Sequence, residues 1–171
     1  TPHHLTLTEK EVLNPPYNTM AKVNPPLRTE EDREALIKAL KDGTIDIIAT
    51  DHSPHSKEEK LQEFDKAPFG ISSLETALPS LLKYTDLDIK LIIEKLSTEP
   101  ARILGRKDIG NLREGSYANL VLIDPDIEWE LHEEDMVSLG KNTPFLGKRF
   151  KGRVVMTVYK GRIVYERLSR S

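Results

Sequence analysis

A short polar motif that follows a buried apolar run constrains this chain more than any other feature. The run at residues 45–49 holds three isoleucines, follows the turn Gly43-Thr44, and is typical of a buried β-strand. The motif TDHSPH occupies residues 50–55, where that strand is predicted to end. Because α/β enzymes carry their chemistry at the carboxyl ends of buried strands, the motif predicts a functional site. The alternative is a turn in which the Asp51 carboxylate caps free backbone N–H groups.

The chain ahead of this motif predicts a helix that leads into the buried strand. Residues 1–8 alternate and are predicted to be the end of an earlier strand, followed by a short helical turn. Paired prolines predict loops at residues 14–18 and 24–28, because proline lacks a backbone donor. A helix is predicted from the cap Thr29 to Gly43, with apolar residues at helical spacing.

The chain after the motif changes from helical to strand periodicity at about residue 107. Residues 56–66 are predicted to be a loop, with the run KEEK on the solvated surface. Helices are predicted at 72–82, kinked by Pro79, and then at 88–96 and 98–105. Beyond residue 107, strands are predicted at 119–124 and 128–132, with a hairpin over 153–166.

Composition excludes several classes of function. The chain of 171 residues allows one domain or parts of two, and its net charge of −3 without a basic block argues against nucleic acid. The absence of cysteine excludes disulfides and thiolate metal sites and is typical of a reducing compartment. No apolar run reaches the roughly 18 to 20 residues of a membrane span. The chain starts at Thr1 in mid-pattern, so we expect the carboxyl-terminal piece of a longer protein.

Asp51 is the candidate metal ligand and general base. A carboxylate oxygen suits zinc, and an acid beside an activated water can accept its proton. A catalytic zinc needs about three protein ligands, and the histidines show no His-x-His or His-x-x-x-His spacing. His3 and His4 are neighbours on a predicted strand, so at most one faces a given pocket and the other is expected to be structural. His132 is expected at the surface.

Two further positions could contact a ligand. Asn24, in the second proline-rich loop, could offer its amide to an acid or imide substrate, although a turn residue bound to its own backbone is the alternative. Phe69-Gly70 could bring backbone groups close to a ligand, because glycine permits a close approach.

Six motifs in order resemble one family over essentially the whole chain. They are PHHL at 2–5, NPPLR at 24–28, DGTID at 42–46, TDHSPH at 50–55, APFG at 67–70 and NTPF at 142–145. Together they resemble the carboxyl-terminal portion of a class I dihydroorotase of the amidohydrolase superfamily. Allantoinases and hydantoinases share the fold and parts of two motifs, but Asn24, His55 and APFG favour dihydroorotase.

The resemblance implies an α/β fold, the C-terminal part of a (β/α)8 TIM-type barrel with a small β-sandwich segment. Residues 1–106 would be the last strands and helices of the barrel, and residues 107–171 the sandwich segment. The implied reaction is the reversible cyclisation of N-carbamoyl-L-aspartate to dihydroorotate in pyrimidine biosynthesis, a cytoplasmic, metal-dependent step.

The resemblance also implies roles for individual residues. Asp51 would bind zinc, present as one or two ions, and shuttle the catalytic proton. Asn24 and His55 would contact substrate, and Phe69 and Gly70 would contact it through backbone.

The family's His-x-His and its other metal ligands would precede this chain. We therefore expect the chain to be inactive alone and to need the amino-terminal part of the enzyme as its partner. The resemblance leaves open a homodimer and an association with aspartate transcarbamoylase. Two rival hypotheses stand: an allantoinase- or hydantoinase-like cyclic amidase, and a non-catalytic homologue that acts as a structural partner.

Overall fold

The structure is a computed structural model and describes residues 1–167. Short helices fill its first two thirds, and a sheet follows. The α-helices are α1 (Pro2–Thr6), α2 (Lys10–Leu13), α3 (Glu30–Lys41), α4 (Lys57–Lys60), α5 (Ala77–Tyr84), α6 (Ile89–Ile93) and α7 (Glu99–Ile103), with 3₁₀ turns at Thr19–Ala21 and Glu133–Asp135. A π-helical turn, Glu94–Thr98, joins α6 to α7. Among these residues no helix has the length and apolar character that crossing a bilayer requires.

The helices whose ends carry clear capping signals were predicted correctly. The Thr29 hydroxyl accepts a hydrogen bond from the backbone N–H of Asp32 and begins α3, which carries three acids in its first turn. Asp88 caps α6 in the same manner. The helical turn expected after Thr8 is α2, but Thr8 does not cap it, because the N-cap is Glu9 and makes no side-chain hydrogen bond.

Two predictions in the middle of the chain are wrong. Residues 56–66 are not entirely a loop, because Ser56 and Glu59 form a reciprocal capping box that starts α4. Pro79 does not kink a helix that begins at residue 72. It lies in the first turn of α5, where a missing N–H breaks no intrahelical hydrogen bond.

The two strands predicted near the motif are absent from the described residues. Residues 2–6 form α1, because the Thr1 side chain caps the helix and Pro2 stands in its first turn. The segment 45–49 is placed without a β-ladder. Its Ile48 is buried as predicted, but the Ile48 N–H donates to Lys95 O at 3.0 Å instead of to a neighbouring strand. A strand requires a partner edge, and the described residues supply none beside this segment.

The sheet confirms the strand periodicity beyond residue 107. β1 (Leu120–Glu130), β2 (Arg149–Tyr159) and β3 (Arg162–Glu166) form an antiparallel sheet in the order β1-β2-β3. The predicted strands 119–124 and 128–132 are one strand, interrupted by a register shift between Asp124 and Glu128. The hairpin turns at Lys160-Gly161, where both residues have positive φ, as a two-residue turn requires.

Two apolar clusters form the core, and one of them joins the helical part to the sheet. The joining cluster contains Leu7, Ala21, Val23, Leu27, Ile71, Leu131, Met136, Phe145 and Phe150. The other lies among the helices and contains Leu5, Ile37, Leu40, Ile48, Leu81, Leu87 and Ile92. Because residues before 107 and after 107 share the first cluster, the motif at 50–55 rests on a core built by both.

Candidate functional site

Asp51 presents its carboxylate at the start of the polar motif. Its backbone has φ +47°, a left-handed conformation that aspartate tolerates better than most residues. The side chain is 48% exposed, and its Oδ2 lies 3.8 Å from Nε2 of His3. His3 is buried, and neither ring nitrogen has a hydrogen-bond partner within residues 1–167. Burial, followed by the nearby His4, lowers the pKa of His3 to about 3, so a neutral imidazole stands beside Asp51.

Gly70 ends the segment 61–70 and lies directly against the motif. His52 and Ile71 form a parallel bridge, and Ser53 N donates to Ile71 O at 2.9 Å. Gly70 has φ +134°, and a Cβ at this position would lie 2.4 Å from Cβ of Ser53. Only glycine therefore permits this approach of the two backbones.

His55 faces the carbonyl group of Phe69. The distance from His55 Nε2 to Phe69 O is 3.0 Å, and because a carbonyl only accepts, Nε2 carries the ring proton in this contact. His55 Nδ1 lies 3.7 Å from Glu59 Oε2. The Phe69 ring is largely exposed, so this segment presents backbone and an aromatic face at the motif.

Asn142 joins the motif to the segment 61–70 from the far end of the chain. Its buried amide nitrogen donates to Ser53 O at 3.0 Å and to Gly70 O at 3.1 Å. Its side-chain oxygen accepts from His55 N at 2.7 Å, and its backbone oxygen accepts from Ser72 N at 2.8 Å. The Asn142 side chain thus holds Ser53, His55 and Gly70 at fixed distances from one another.

His52, Ser138 and Glu75 form a chain of hydrogen bonds. In this chain His52 is not placed to act as the general base for a serine nucleophile. Its Nδ1 accepts from Ser73 N at 3.0 Å and Leu74 N at 3.3 Å, so the proton resides on Nε2, 3.4 Å from Ser138 Oγ. Ser138 Oγ donates to Glu75 Oε1 at 2.7 Å. A Ser-His-acid triad needs an unprotonated Nε2 facing the serine, which this arrangement lacks. Burial raises the pKa of Glu75, but the Ser138 hydrogen bonds outweigh it and leave that pKa lowered.

Asn24 lies on an exposed loop that reaches the site through its neighbours. His4 Nε2 lies 2.9 Å from Pro25 O and fixes the loop, so His4 has the structural hydrogen bonds expected of one histidine of the pair. Two residues before Asn24, the backbone oxygen of Lys22 accepts from Gly70 N at 2.9 Å. The contacts thus join His55, Phe69 and Gly70 directly, and they connect Asn24 to Gly70 through the chain. His132 is exposed, as expected.

Sequence reasoning missed three residues that hold this region together. Lys60 was predicted on the solvated surface as part of KEEK, and that prediction is wrong because its side chain is fully buried. Lys22 carried no prediction and is 7% exposed. Asn142 was noted only as part of the motif NTPF. No local signal identifies the lysines, because Lys22 binds carbonyl groups more than forty residues later and Lys60 binds those of Pro68 and Gly70.

The residues at this site can supply one ligand to a metal ion. Asp51 offers a half-exposed carboxylate, the oxygen donor that zinc accepts, and the unpartnered His3 nitrogen lies beside it. Within residues 1–167, no three His, Asp or Glu side chains gather closely enough to hold a metal ion. A metal at Asp51 therefore requires ligands from outside this set.

Comparison with known proteins identifies close relatives. The model of the amidohydrolase family matches residues 4–164. The chain is 49% identical to a dihydroorotase of Clostridium acetobutylicum over 170 residues, which cover 97% of the chain and 39% of that protein. It is 50% identical to a dihydroorotase of Desulforapulum autotrophicum, with 97% and 39% covered. The chain thus spans about two fifths of the length of these relatives.

A solved structure shares the fold. The L-hydantoinase (dihydropyrimidinase) of Arthrobacter aurescens superimposes with a TM-score of 0.86 at 31% identity, covering 96% of the chain and 38% of that structure.

Proposed function

This chain belongs to the amidohydrolase family, and from that premise we propose that it is the carboxyl-terminal portion of a dihydroorotase. One observation carries the proposal: about half of its residues are identical to those of proteins named dihydroorotase over nearly its whole length. The proposed reaction is the reversible cyclisation of N-carbamoyl-L-aspartate to dihydroorotate in pyrimidine biosynthesis. We propose that the part of the relatives outside the match is an amino-terminal part and that it is the partner that completes the site.

The proposed architecture is the final part of a (β/α)8 barrel followed by a segment of a small β-sandwich. Residues 1–106 would contribute to the barrel and residues 107–171 to the sandwich. The likeness to a hydantoinase fold supports the barrel portion of this proposal. The shared apolar cluster means that the two parts are segments of one packed unit in this chain.

Asp51 is the proposed proton carrier and the one metal ligand that these residues supply. A zinc ion bound there would acidify a water molecule and polarise the amide carbonyl. In the hydrolytic direction, an Asp51 oxygen takes the proton from the attacking water and delivers it to the departing amide nitrogen. The half-exposed position of Asp51 leaves its oxygens accessible to both atoms.

The remaining proposed site residues bind and orient the substrate. Asn24 and His55 offer side-chain hydrogen bonds to the substrate carboxylate and ring. Phe69 and Gly70 are proposed to contact the substrate through backbone. The Gly70 N–H and carbonyl already bind Lys22, Lys60 and Asn142, so the Phe69 N–H, which has no acceptor within residues 1–167, is the group that this pair offers. Holding the reacting atoms in one geometry lowers the entropic part of the barrier.

Activity of the complete, zinc-loaded enzyme that contains this chain tests the proposal. We expect cyclisation of carbamoyl-aspartate and hydrolysis of dihydroorotate. Asp51→Asn should lower kcat by roughly 10²- to 10⁴-fold, the usual contribution of a positioned acid–base group. Asp46→Asn, an exposed acid on the preceding segment, is the matched control and should keep full activity. A complete enzyme that leaves both substrates unchanged would contradict the proposal.

A cyclic amidase of another substrate class is the second candidate. The fold likeness to a protein named L-hydantoinase (dihydropyrimidinase) favours it. A panel of dihydroorotate, hydantoin, dihydrouracil and allantoin separates the two, because only a dihydroorotase requires the substrate carboxylate. A kcat/KM for hydantoin above that for dihydroorotate would select the second candidate.

A further inference from the structure

Two buried lysines lie beneath the segment that carries Phe69 and Gly70. Lys60 ends α4 and has no exposed surface, and Lys22 is 7% exposed. The ion pairs found among the described residues include neither Lys22 nor Lys60. Taking an ammonium out of water costs several kcal/mol unless strong acceptors replace its hydration. A buried ammonium group is therefore expected only where its hydrogen bonds stabilise the structure or position the site around it.

Backbone carbonyl groups of one short segment replace that hydration. Lys22 Nζ donates to Phe64 O at 2.6 Å, Asp65 O at 3.2 Å and Ala67 O at 2.6 Å. Lys60 Nζ donates to Pro68 O at 2.9 Å and to Gly70 O at 3.1 Å. The segment 61–70 contains no regular helix or strand, so these carbonyl groups gain from the lysines the partners that a ladder would otherwise provide.

The same lysines also touch the positions proposed to contact substrate. The Lys22 ammonium lies 4.5 Å from the centre of the Phe69 ring, a cation–π distance. The Lys22 backbone oxygen accepts from Gly70 N, and Asn24 follows two residues later. Lys60 closes the helix that begins just after His55. The two lysines therefore connect the loop that contains Asn24, helix α4 after His55, and the backbone of Phe69 and Gly70.

We propose that Lys22 and Lys60 are positioning residues that hold the segment 61–70 by its carbonyl oxygens and thereby fix the Gly70 backbone against the motif and the Phe69 N–H at the substrate site. The inference rests on the proposed function for the identity of the substrate. Neither lysine touches substrate, and each acts through the segment. Because contacts of this kind are made in the ground state and the transition state alike, their loss should appear chiefly in KM.

The test compares Lys60→Met and Lys22→Met with Lys57→Met in the complete enzyme. Methionine fills a similar volume without an ammonium group, and Lys57 stands exposed on the same helix as Lys60. We expect KM for dihydroorotate to rise about tenfold in both buried variants, with kcat changed less than threefold, and no change in Lys57→Met. Hydrogen exchange of peptides covering residues 61–71 should accelerate in the buried variants alone.

One result would overturn the inference: a folded Lys60→Met enzyme whose KM and segment exchange match those of the wild type, in which case the lysine would only stabilise the fold. If that variant does not fold, the same criteria applied to Lys22→Met decide. An enzyme that lacks dihydroorotase activity would overturn the proposed function instead, and exchange of residues 61–71 would then decide alone whether the lysines hold the segment.

Discussion

Gly70 is the residue whose backbone most tightly constrains the site. Its φ of +134° is a conformation that side chains disfavour, and a Cβ there would also lie 3.3 Å from His55 Nε2 and 2.4 Å from Ser53 Cβ. Gly70→Ala should therefore displace the segment from the motif and raise KM for dihydroorotate at least tenfold, measured in the complete enzyme. Gly43→Ala is the control, because Gly43 has φ +81° but open space around it. Equal KM effects in the two variants would show that the close approach is unimportant.

Lys60 makes the free energy of unfolding rise with pH in the alkaline range. Burial, and then the charge of Lys22, lower the pKa of Lys60 from 10.5 to about 8. Below pH 8 both the folded and the unfolded chain hold this proton. Between pH 8 and 10.5 the unfolded chain binds more protons than the folded one, so this group makes the free energy of unfolding rise with pH.

The melting temperatures of the wild type and Lys60→Met isolate that contribution. Other groups titrate in both proteins, so the difference between the two melting temperatures reports Lys60. We expect the melting temperature of the wild type to rise relative to that of the variant between pH 7.5 and 9.5. Between pH 6 and 7 the difference between the two melting temperatures should stay constant. A difference that stays constant over the upper range would mean that Lys60 keeps its ordinary pKa when buried.

Residue types alone could not have identified Lys60 as buried. A run such as KEEK is most often a solvated surface, and nothing within the run distinguishes its last lysine from its first. The difference arises ten residues later, where the chain returns and places the Pro68 and Gly70 carbonyl groups over α4. Asp51, by contrast, was predicted as a site residue from local sequence, because a polar motif behind an apolar run is a short-range pattern.

At the scale of elements, helices were predicted better than strands for a physical reason. The hydrogen bonds of α3 and its cap Thr29 lie within one segment, so the sequence of that segment is sufficient. The segments 1–8 and 45–49 have strand-like sequences, but a strand exists only beside a partner. The described residues offer them none, whereas the hairpin β2–β3 carries its partner next to it and formed as predicted.

Asn142 links elements that are distant in sequence, and its amide nitrogen is the critical atom. Asn142→Asp keeps the shape but turns a carboxylate oxygen toward the carbonyl groups of Ser53 and Gly70, which can only accept. Gly70 O keeps its hydrogen bond from Lys60 Nζ, but Ser53 O loses its donor, and leaving such a buried acceptor unpaired costs about 1–3 kcal/mol. We expect a lower melting temperature together with a KM for dihydroorotate raised about tenfold.

A matched control for Asn142 lies in a distant loop. Asn111 also donates its amide nitrogen to two carbonyl groups, those of Lys107 and Ile109, away from the motif. Asn111→Asp should lower the melting temperature without a change in KM. If Asn142→Asp also left KM unchanged, the amide would stabilise the fold without setting the geometry of the site.

At the scale of the whole molecule, the sheet and the helices depend on one core. A change in periodicity predicted the division near residue 107, and the family resemblance predicted a barrel portion followed by a sandwich segment. Neither indicated that Phe145 and Phe150, from beyond the division, would pack with Val23 and Ile71 from before it. Long-range packing of this kind is decided by the fold and leaves no local pattern in the sequence.

Phe145 tests that dependence, because it is 2% exposed and lies 5.8 Å from Phe150, ring centre to ring centre. Truncating a buried phenylalanine to alanine costs roughly 3–5 kcal/mol, part of it from the cavity left behind. Phe145→Ala should therefore lower the melting temperature of the complete enzyme and accelerate hydrogen exchange at residues 21–27, which lie more than a hundred positions earlier. Val137→Ala, at a position 81% exposed, should alter neither. Acceleration confined to residues beyond 107 would mean that the two segments fold separately, whereas acceleration at 21–27 would mean that the sheet segment supports the core beneath the site.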